Sequence, residues 1–139
     1  MEGVNKNSIR GKKSRASGAR FELKVREDLE KSGWIIARWT NNVDFEEKKL
    51  VKCKPKFNPF TKSLMMNTAG FPDFIAFRRK GSDYEVIGIE VKVNKWLDKE
   101  EKEKCRWLLD NNIFSKILIA SRGKKRGEID YIDFAEKYN

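Results

Sequence analysis

Gly70-Phe71-Pro72-Asp73-Phe74-Ile75-Ala76-Phe77-Arg78, then Lys80-Gly81-Ser82-Asp83, then Tyr84 through Ile89-Glu90-Val91-Lys92, is the stretch that decides how this chain is read. Phe74 to Arg78 is apolar and β-prone, Gly81-Ser82 is a turn signal, and the run to Lys92 is a second strand, so the segment predicts a hairpin. Side chains at i and i+2 of a strand share a face. Glu90 and Lys92 therefore project together, while Ile89 and Val91 point the other way into a core. Pairing of the two strands brings Asp73 near Glu90. Two carboxylates and a lysine are the side chains that phosphodiester hydrolysis asks for. A divalent cation polarises the phosphoryl oxygens, an activated water attacks, and positive charge stabilises the transition state.

Outward from the hairpin, the pattern predicts alternating helices and strands. From Ser17, Phe21, Val25 and Leu29 recur at i, i+4 and i+8, and Ser32-Gly33 supplies a helix stop. Trp34 to Trp39 reads as a buried strand. Residues 41–67, with Pro55, Pro59 and many lysines, predict a long loop or a small hairpin. Asp98-Lys99-Glu100-Glu101 has the form of a capping box. It opens a helix that turns Cys105, Leu108 and Leu109 inward and ends near Asn111-Asn112. Lys116 to Ser121 is a further buried strand, Glu128 to Asp133 another, and a short helix begins at Phe134. The first residues, 1–16, are polar and basic without apolar periodicity, which predicts a flexible arm. The remaining 17–139 form one α/β domain with a central mixed β-sheet flanked by helices and an insertion around 43–66.

Composition narrows the function. In 139 residues there are 31 Lys and Arg against 21 Asp and Glu, a formal charge of +10, as expected for a nucleic-acid partner. No stretch is apolar enough to span a membrane and no signal-peptide pattern opens the chain, so a cytoplasmic protein without membrane or nucleotide-cofactor partners is expected. The absence of histidine excludes Ser-His, Cys-His and histidine-metal sites. Cys53 and Cys105 form no Cys-x-x-Cys motif and read as thiols without a metal role. What remains is carboxylate and lysine chemistry. The lack of Gln and the wealth of Lys and Glu lean toward a thermophile, although ten Asn residues pull the other way.

Pro72-Asp73 with Glu90-Val91-Lys92 resembles the signature of the PD-(D/E)XK nuclease superfamily. The resemblance implies a restriction-endonuclease-like (αβββαβ) core and Mg²⁺- or Mn²⁺-dependent cleavage of DNA. Ser17-Gly18-Ala19-Arg20-Phe21-Glu22 entering a helix, followed by Gly33-Trp34 and a strand carrying Arg38, is similar to the start of archaeal Holliday junction resolvases, which implies an archaeal or archaeal-virus source. Those enzymes carry a glutamate in their first helix, and by that likeness Glu22 is the third acid of the site. Its position at i, i+3 and i+7 with Val25 and Leu29 also sets it on or beside the apolar stripe. The alternative is an exposed glutamate paired with Arg26 at i+4. The sequence departs from the resolvase pattern in the length of 43–66, where Ser63 is the candidate for the serine those enzymes carry. VRR-type nuclease domains also resemble Gly70 to Asp73 with Glu90 to Lys92, but commonly carry a glutamine early in the following helix, where this chain has Glu101.

By this resemblance Asp73 and Glu90 bind the ion with the Val91 main-chain carbonyl, Lys92 orients or deprotonates the attacking water, and Glu22 anchors a water at the ion or a second ion. A partly buried Lys92 beside a cation is expected to have a lowered proton affinity. Lys12, Lys13, Arg15, Arg20, Lys95 and the run Arg122, Lys124, Lys125, Arg126 are the residues expected to meet DNA phosphates. Trp39, Trp96 and Trp107 are read as core or dimer contacts ahead of base-stacking groups. A homodimer is implied, because resolvases cut two symmetric strands of a branched DNA. Other readings are a nuclease for flaps, single strands or duplex DNA, and an inactive basic DNA-binding module.

Overall fold

The computed structural model describes residues 6–53, 56–60, 63–65 and 70–138, with backbone alone for 6–15, 56–58 and 63–65. The chain is mixed α/β, with a five-stranded mixed sheet between helices. The sheet contains β1 (Ile35–Arg38), β6 (Phe74–Lys80), β7 (Asp83–Val91), β8 (Lys116–Arg122) and β9 (Ile129–Asp133), in the order β1-β6-β7-β8-β9. The pair β7–β8 is parallel and every other pair is antiparallel. The predicted hairpin is present, with Gly81 at φ 64° in its turn and Phe74 opposite Ile89 at its far end. The parallel step needs a crossover, which α2 (Lys99–Asp110) provides.

The alternation of side chains divides the core between the two faces of the sheet. Ile87 and Ile89 of β7 and Ala120 of β8 pack with Phe21, Val25 and Leu29 of α1 (Lys6–Lys31). On the other face Ile117 and Ile119 meet Cys105 and Leu108 of α2, together with Phe114 and Phe134. Gly88, Glu90 and Lys92 belong to this second face by the same period of two. The α2 capping box forms as expected: Asp98 accepts from the Glu101 N–H at 2.8 Å, and Glu101 accepts from the Asp98 N–H at 3.1 Å. Helix α3 (Phe134–Tyr138) ends the described chain.

Three sequence expectations need correction. Helix α1 begins at Lys6, so the stretch expected to be a flexible arm up to Ala16 is helical from Lys6 onward; Met1–Asn5 lie outside the described residues. Its Lys, Arg and Ala are good helix formers, a preference that leaves no apolar period in the sequence. The strand expected to be buried between Trp34 and Trp39 is β1, an edge strand in which Ile36 alone is buried. Within the insertion stand two hairpins, β2 (Asn41–Asp44) with β3 (Lys49–Lys52) and β4 (Lys56–Asn58) with β5 (Ser63–Met65). Ser63 opens β5, and its side chain lies outside those described. Among the described residues no helix is long and apolar enough to cross a membrane.

Candidate functional site

The site is assembled by close backbone approaches that two glycines permit. A Cβ at Gly70 would lie 2.3 Å from the Asn41 carbonyl oxygen and 2.6 Å from that of Trp39, so only glycine passes there. The chain then turns through Phe71 and Pro72 into β6, with the Phe71 N–H donating to Asn41 O at 2.9 Å and the Trp39 N–H to Asp73 O at 3.1 Å. A Cβ at Gly88 would come within 2.9 Å of Pro72 Cγ and 3.2 Å of the Phe114 ring. The missing side chain is the seat on which Pro72 rests, one residue-pair along β7 from Glu90. Asp73 is thereby held against the end of β7, where its Oδ2 accepts the Val91 N–H at 2.8 Å.

Glu90, Lys92 and Asp73 come together as the sequence predicted, and a fourth group joins them. Lys92 Nζ lies 2.6 Å from Glu101 Oε2 and 4.0 Å from Glu90 Oε2. Glu101 thus closes the helix cap with one oxygen and holds Lys92 with the other. Its helix position was legible from the capping box; its contact with Lys92 depends on how α2 is laid across the sheet. Cys105, one turn further along α2, is buried against the same charges. Burial first, then Glu90 and Glu101, push its thiol far above the ordinary range, so it is an inert apolar neighbour.

Glu90 is 4% exposed, and its Oε1 has no hydrogen-bond partner among the described residues. Burial raises its pKa well above the usual carboxylate range, and the negative charge of Asp73 adds to the effect. Lys92 offsets only part of this. The ionised site therefore lacks positive charge. In the metal-free site burial alone would lower the proton affinity of Lys92, but the Glu101 hydrogen bond and the charges of Glu90, Glu101 and Asp73 outweigh burial and raise it; the lowering expected beside a bound cation concerns the loaded site. Its ammonium is the stable form in this surrounding.

The donor set fits a small hard cation. Asp73 and Glu90 present carboxylate oxygens at adjacent strand ends, one of them buried and without a partner, and the Val91 peptide stands beside them. Among the described residues these two carboxylates make up the donor set, and no group of three or more His, Cys, Asp or Glu forms a metal cluster. Glu22 is placed elsewhere. Its Oε2 accepts from Arg38 Nη2 at 2.9 Å, and the Arg38 guanidinium lies 5.4 Å from the Phe74 ring, on the α1 face of the sheet. Arg26, its expected alternative partner, pairs with Glu30 instead.

The basic residues divide in the same way. Lys95 is bound to Asp130 at 3.0 Å and is not a free cation. Arg20, Arg122, Lys124, Lys125 and Arg126 line one open cavity between α1 and the β8–β9 connection. The side chains of Lys12, Lys13 and Arg15 lie outside those described. Trp39 meets Phe114 edge-on at 5.1 Å and Trp107 packs on the α2-side core, as read from sequence, whereas Trp96 is 73% exposed just beyond the motif strand. Compared with known proteins, the chain matches no protein-family model and no curated sequence.

Proposed function

We propose that this protein is a divalent-cation-dependent DNA endonuclease with a restriction-endonuclease-like core, of the structure-selective, resolvase-like kind. The observation that carries the reading is the juxtaposition of Asp73, buried Glu90 and Lys92, with a Glu90 oxygen that has no partner among the described residues and an excess of negative charge at the strand ends. Mg²⁺ or Mn²⁺ would be held by Asp73, Glu90 and the Val91 carbonyl, and when bound would neutralise charge on the scissile phosphate. The chain's own residues do the rest. Lys92, kept as an ammonium by Glu101, would donate hydrogen bonds to a non-bridging phosphoryl oxygen and stabilise the negative charge that develops there as the water oxygen bonds to phosphorus, the phosphorus–oxygen bond to the leaving strand breaks and the water's proton passes to solvent. Glu101 acts through Lys92 as a positioning residue. Glu22 orders Arg38 on the opposite face, so its contribution to cleavage should be weaker than that of Asp73.

Branched DNA is favoured among substrates by the likeness of Ser17 to Glu22, Gly33-Trp34 and Arg38 to resolvases, and the same likeness suggests a homodimer with two sites. The test uses an end-labelled four-way junction and a linear duplex of matched sequence, each with Mg²⁺ or EDTA, beside Glu90→Ala. Paired Mg²⁺-dependent nicks on opposing junction strands, absent with Glu90→Ala, are expected. Equal cutting of both substrates would retain the nuclease and remove the junction selectivity. Binding without scission in Mg²⁺ or Mn²⁺ would leave an inactive DNA-binding module.

A further inference from the structure

A cavity of about 530 Å³ opens between α1 and the β8–β9 connection, on the face of the sheet opposite Glu90 and Lys92. Its cations are Arg20 and Lys24 from the helix and Arg122, Lys124, Lys125 and Arg126 from the strand end and turn, against one carboxylate, Glu128. Among the described residues none of these six cations forms an ion pair with a carboxylate, whereas Arg26, Arg38, Arg78, Lys95 and Lys116 each do. Like charges gathered without counter-charge repel one another, and a bound polyanion relieves that repulsion.

The cavity is built by specific contacts. Arg122 Nη2 donates to Ser17 Oγ at 2.9 Å and its guanidinium sits 5.5 Å from the Phe21 ring, so neutral partners fix its position and leave its charge available. Glu128 shapes the turn. Gly123 N–H donates to Glu128 O at 2.8 Å, Glu128 N–H donates to Lys125 O at 3.1 Å, and the Lys125 N–H reaches Glu128 Oε2 at 3.4 Å. A Cβ at Gly123 would come within 2.6 Å of the Glu128 side chain, and Gly127 at φ 83° completes the reversal. The result is a fixed turn that displays Lys124, Lys125 and Arg126 around the mouth.

Its place relative to the carboxylates follows from the register. Val91 is paired with Ala120, and Arg122 lies two residues further along β8. One strand spacing sideways and two residues forward set the Cα atoms of Val91 and Arg122 roughly 8 Å apart, at the same end of the sheet. We infer that this cavity is a phosphodiester-binding subsite for nucleic acid, gripping the sugar–phosphate backbone next to the scissile position while the carboxylates work around the strand ends. The identity of the ligand as the substrate strand rests on the nuclease reading.

The test is binding of the full chain to a labelled duplex in EDTA, so that no cleavage intervenes, across 50 to 200 mM salt. Arg20→Gln/Lys24→Gln/Lys124→Gln removes three cavity charges at exposed positions; Lys31→Gln/Lys80→Gln/Lys137→Gln removes as many elsewhere. Each lost phosphate contact lowers the slope of log K against log salt by about 0.9. The cavity variant should lose about 2.7 from that slope, so the same rise in salt weakens it roughly 40-fold less than the wild type. The control variant should keep nearly the wild-type slope. An unchanged slope in the cavity variant, or an equal loss in both, overturns the subsite. Metal-dependent scission measured in parallel separates the two readings. Cleavage with an unmoved slope removes the subsite alone, while a cavity-specific loss of slope without any cleavage removes the nuclease and leaves the subsite.

Discussion

Replacing Glu90 with Gln should stabilise the metal-free protein, although it removes a group assigned to the site. Glu90 is buried, its Oε1 has no donor among the described residues, and Asp73 presents a second negative charge. The neutral form is better served: a protonated carboxyl, or the amide of Gln, can donate to the oxygens of Asp73 and Glu101. Relieving an unsatisfied buried group is worth about 1–3 kcal/mol. For 139 residues the unfolding entropy is about 0.3 kcal/mol/K, so Tm should rise by about 3–10 °C. The pH dependence has a definite sign. The folded protein holds the Glu90 proton to higher pH than the unfolded chain does, so it binds more protons once pH passes the ordinary carboxylate range. Wild-type stability in EDTA should therefore fall as pH rises from that range through the raised Glu90 value, and Glu90→Gln should lack this component. Added Mg²⁺ should raise the Tm of the wild type and leave the variant nearly unchanged. Differential scanning calorimetry in EDTA and in Mg²⁺ at several pH values reads all of this. A Tm for Glu90→Gln equal to or below that of the wild type at neutral pH in EDTA would refute the reasoning.

Other perturbations probe how the site is positioned. Gly88→Ala drives a Cβ against Pro72 and Phe114; it should cost about 1–3 kcal/mol in chemical denaturation and reduce cleavage further by displacing Asp73, whereas wild-type activity would disprove the seat. Glu101→Gln keeps the helix cap, which Gln also satisfies, but removes the negative charge that holds the Lys92 proton. The Lys92 titration in the pH profile of kcat/KM should move to lower pH, and an unshifted profile would separate Glu101 from Lys92. Tyr131 donates to Asp28 Oδ2 at 2.6 Å, tying β9 to α1. Tyr131→Phe should lower stability by about 1.5–3 kcal/mol, since the lost bond is to a charged acceptor, and a change under 0.5 kcal/mol in urea unfolding would show the tie to be idle.

The grouping of Asp73, Glu90 and Lys92 was largely legible because strand alternation and turn residues act locally. Glu90 and Lys92 share a face by their spacing, Gly81-Ser82 sets the hairpin that brings Asp73 alongside, and Asp98 with Glu101 announces the start of α2. What was not legible depends on which layer covers which face. Glu22 does lie beside the apolar stripe of α1, but α1 packs on the sheet face away from Glu90 and Lys92, where Arg38 captures it. The hold on the Lys92 ammonium in the metal-free site was not legible for the same reason, because its nearest carboxylate, Glu101, arrives on α2. The apolar run of β1 could not reveal that the strand sits at an edge. Nor could the polar stretch before Ser17 reveal a helix, since it carries no apolar periodicity to read. Gly88 stood in the motif strand as an ordinary glycine until Pro72 was found resting on it.

The central claim is that Asp73, Glu90 and Lys92 form one cation-dependent phosphodiesterase site. Its most direct test is single-turnover scission of a labelled four-way junction in Mg²⁺ by the wild type, Asp73→Asn and Lys92→Ala, with binding of each measured in EDTA. Scission should fall by about 10²–10³ or more in each variant while junction affinity stays within roughly threefold, since few phosphate contacts are altered. Scission by Lys92→Ala and Asp73→Asn at the wild-type rate, or wild-type scission that persists in EDTA, would contradict the account.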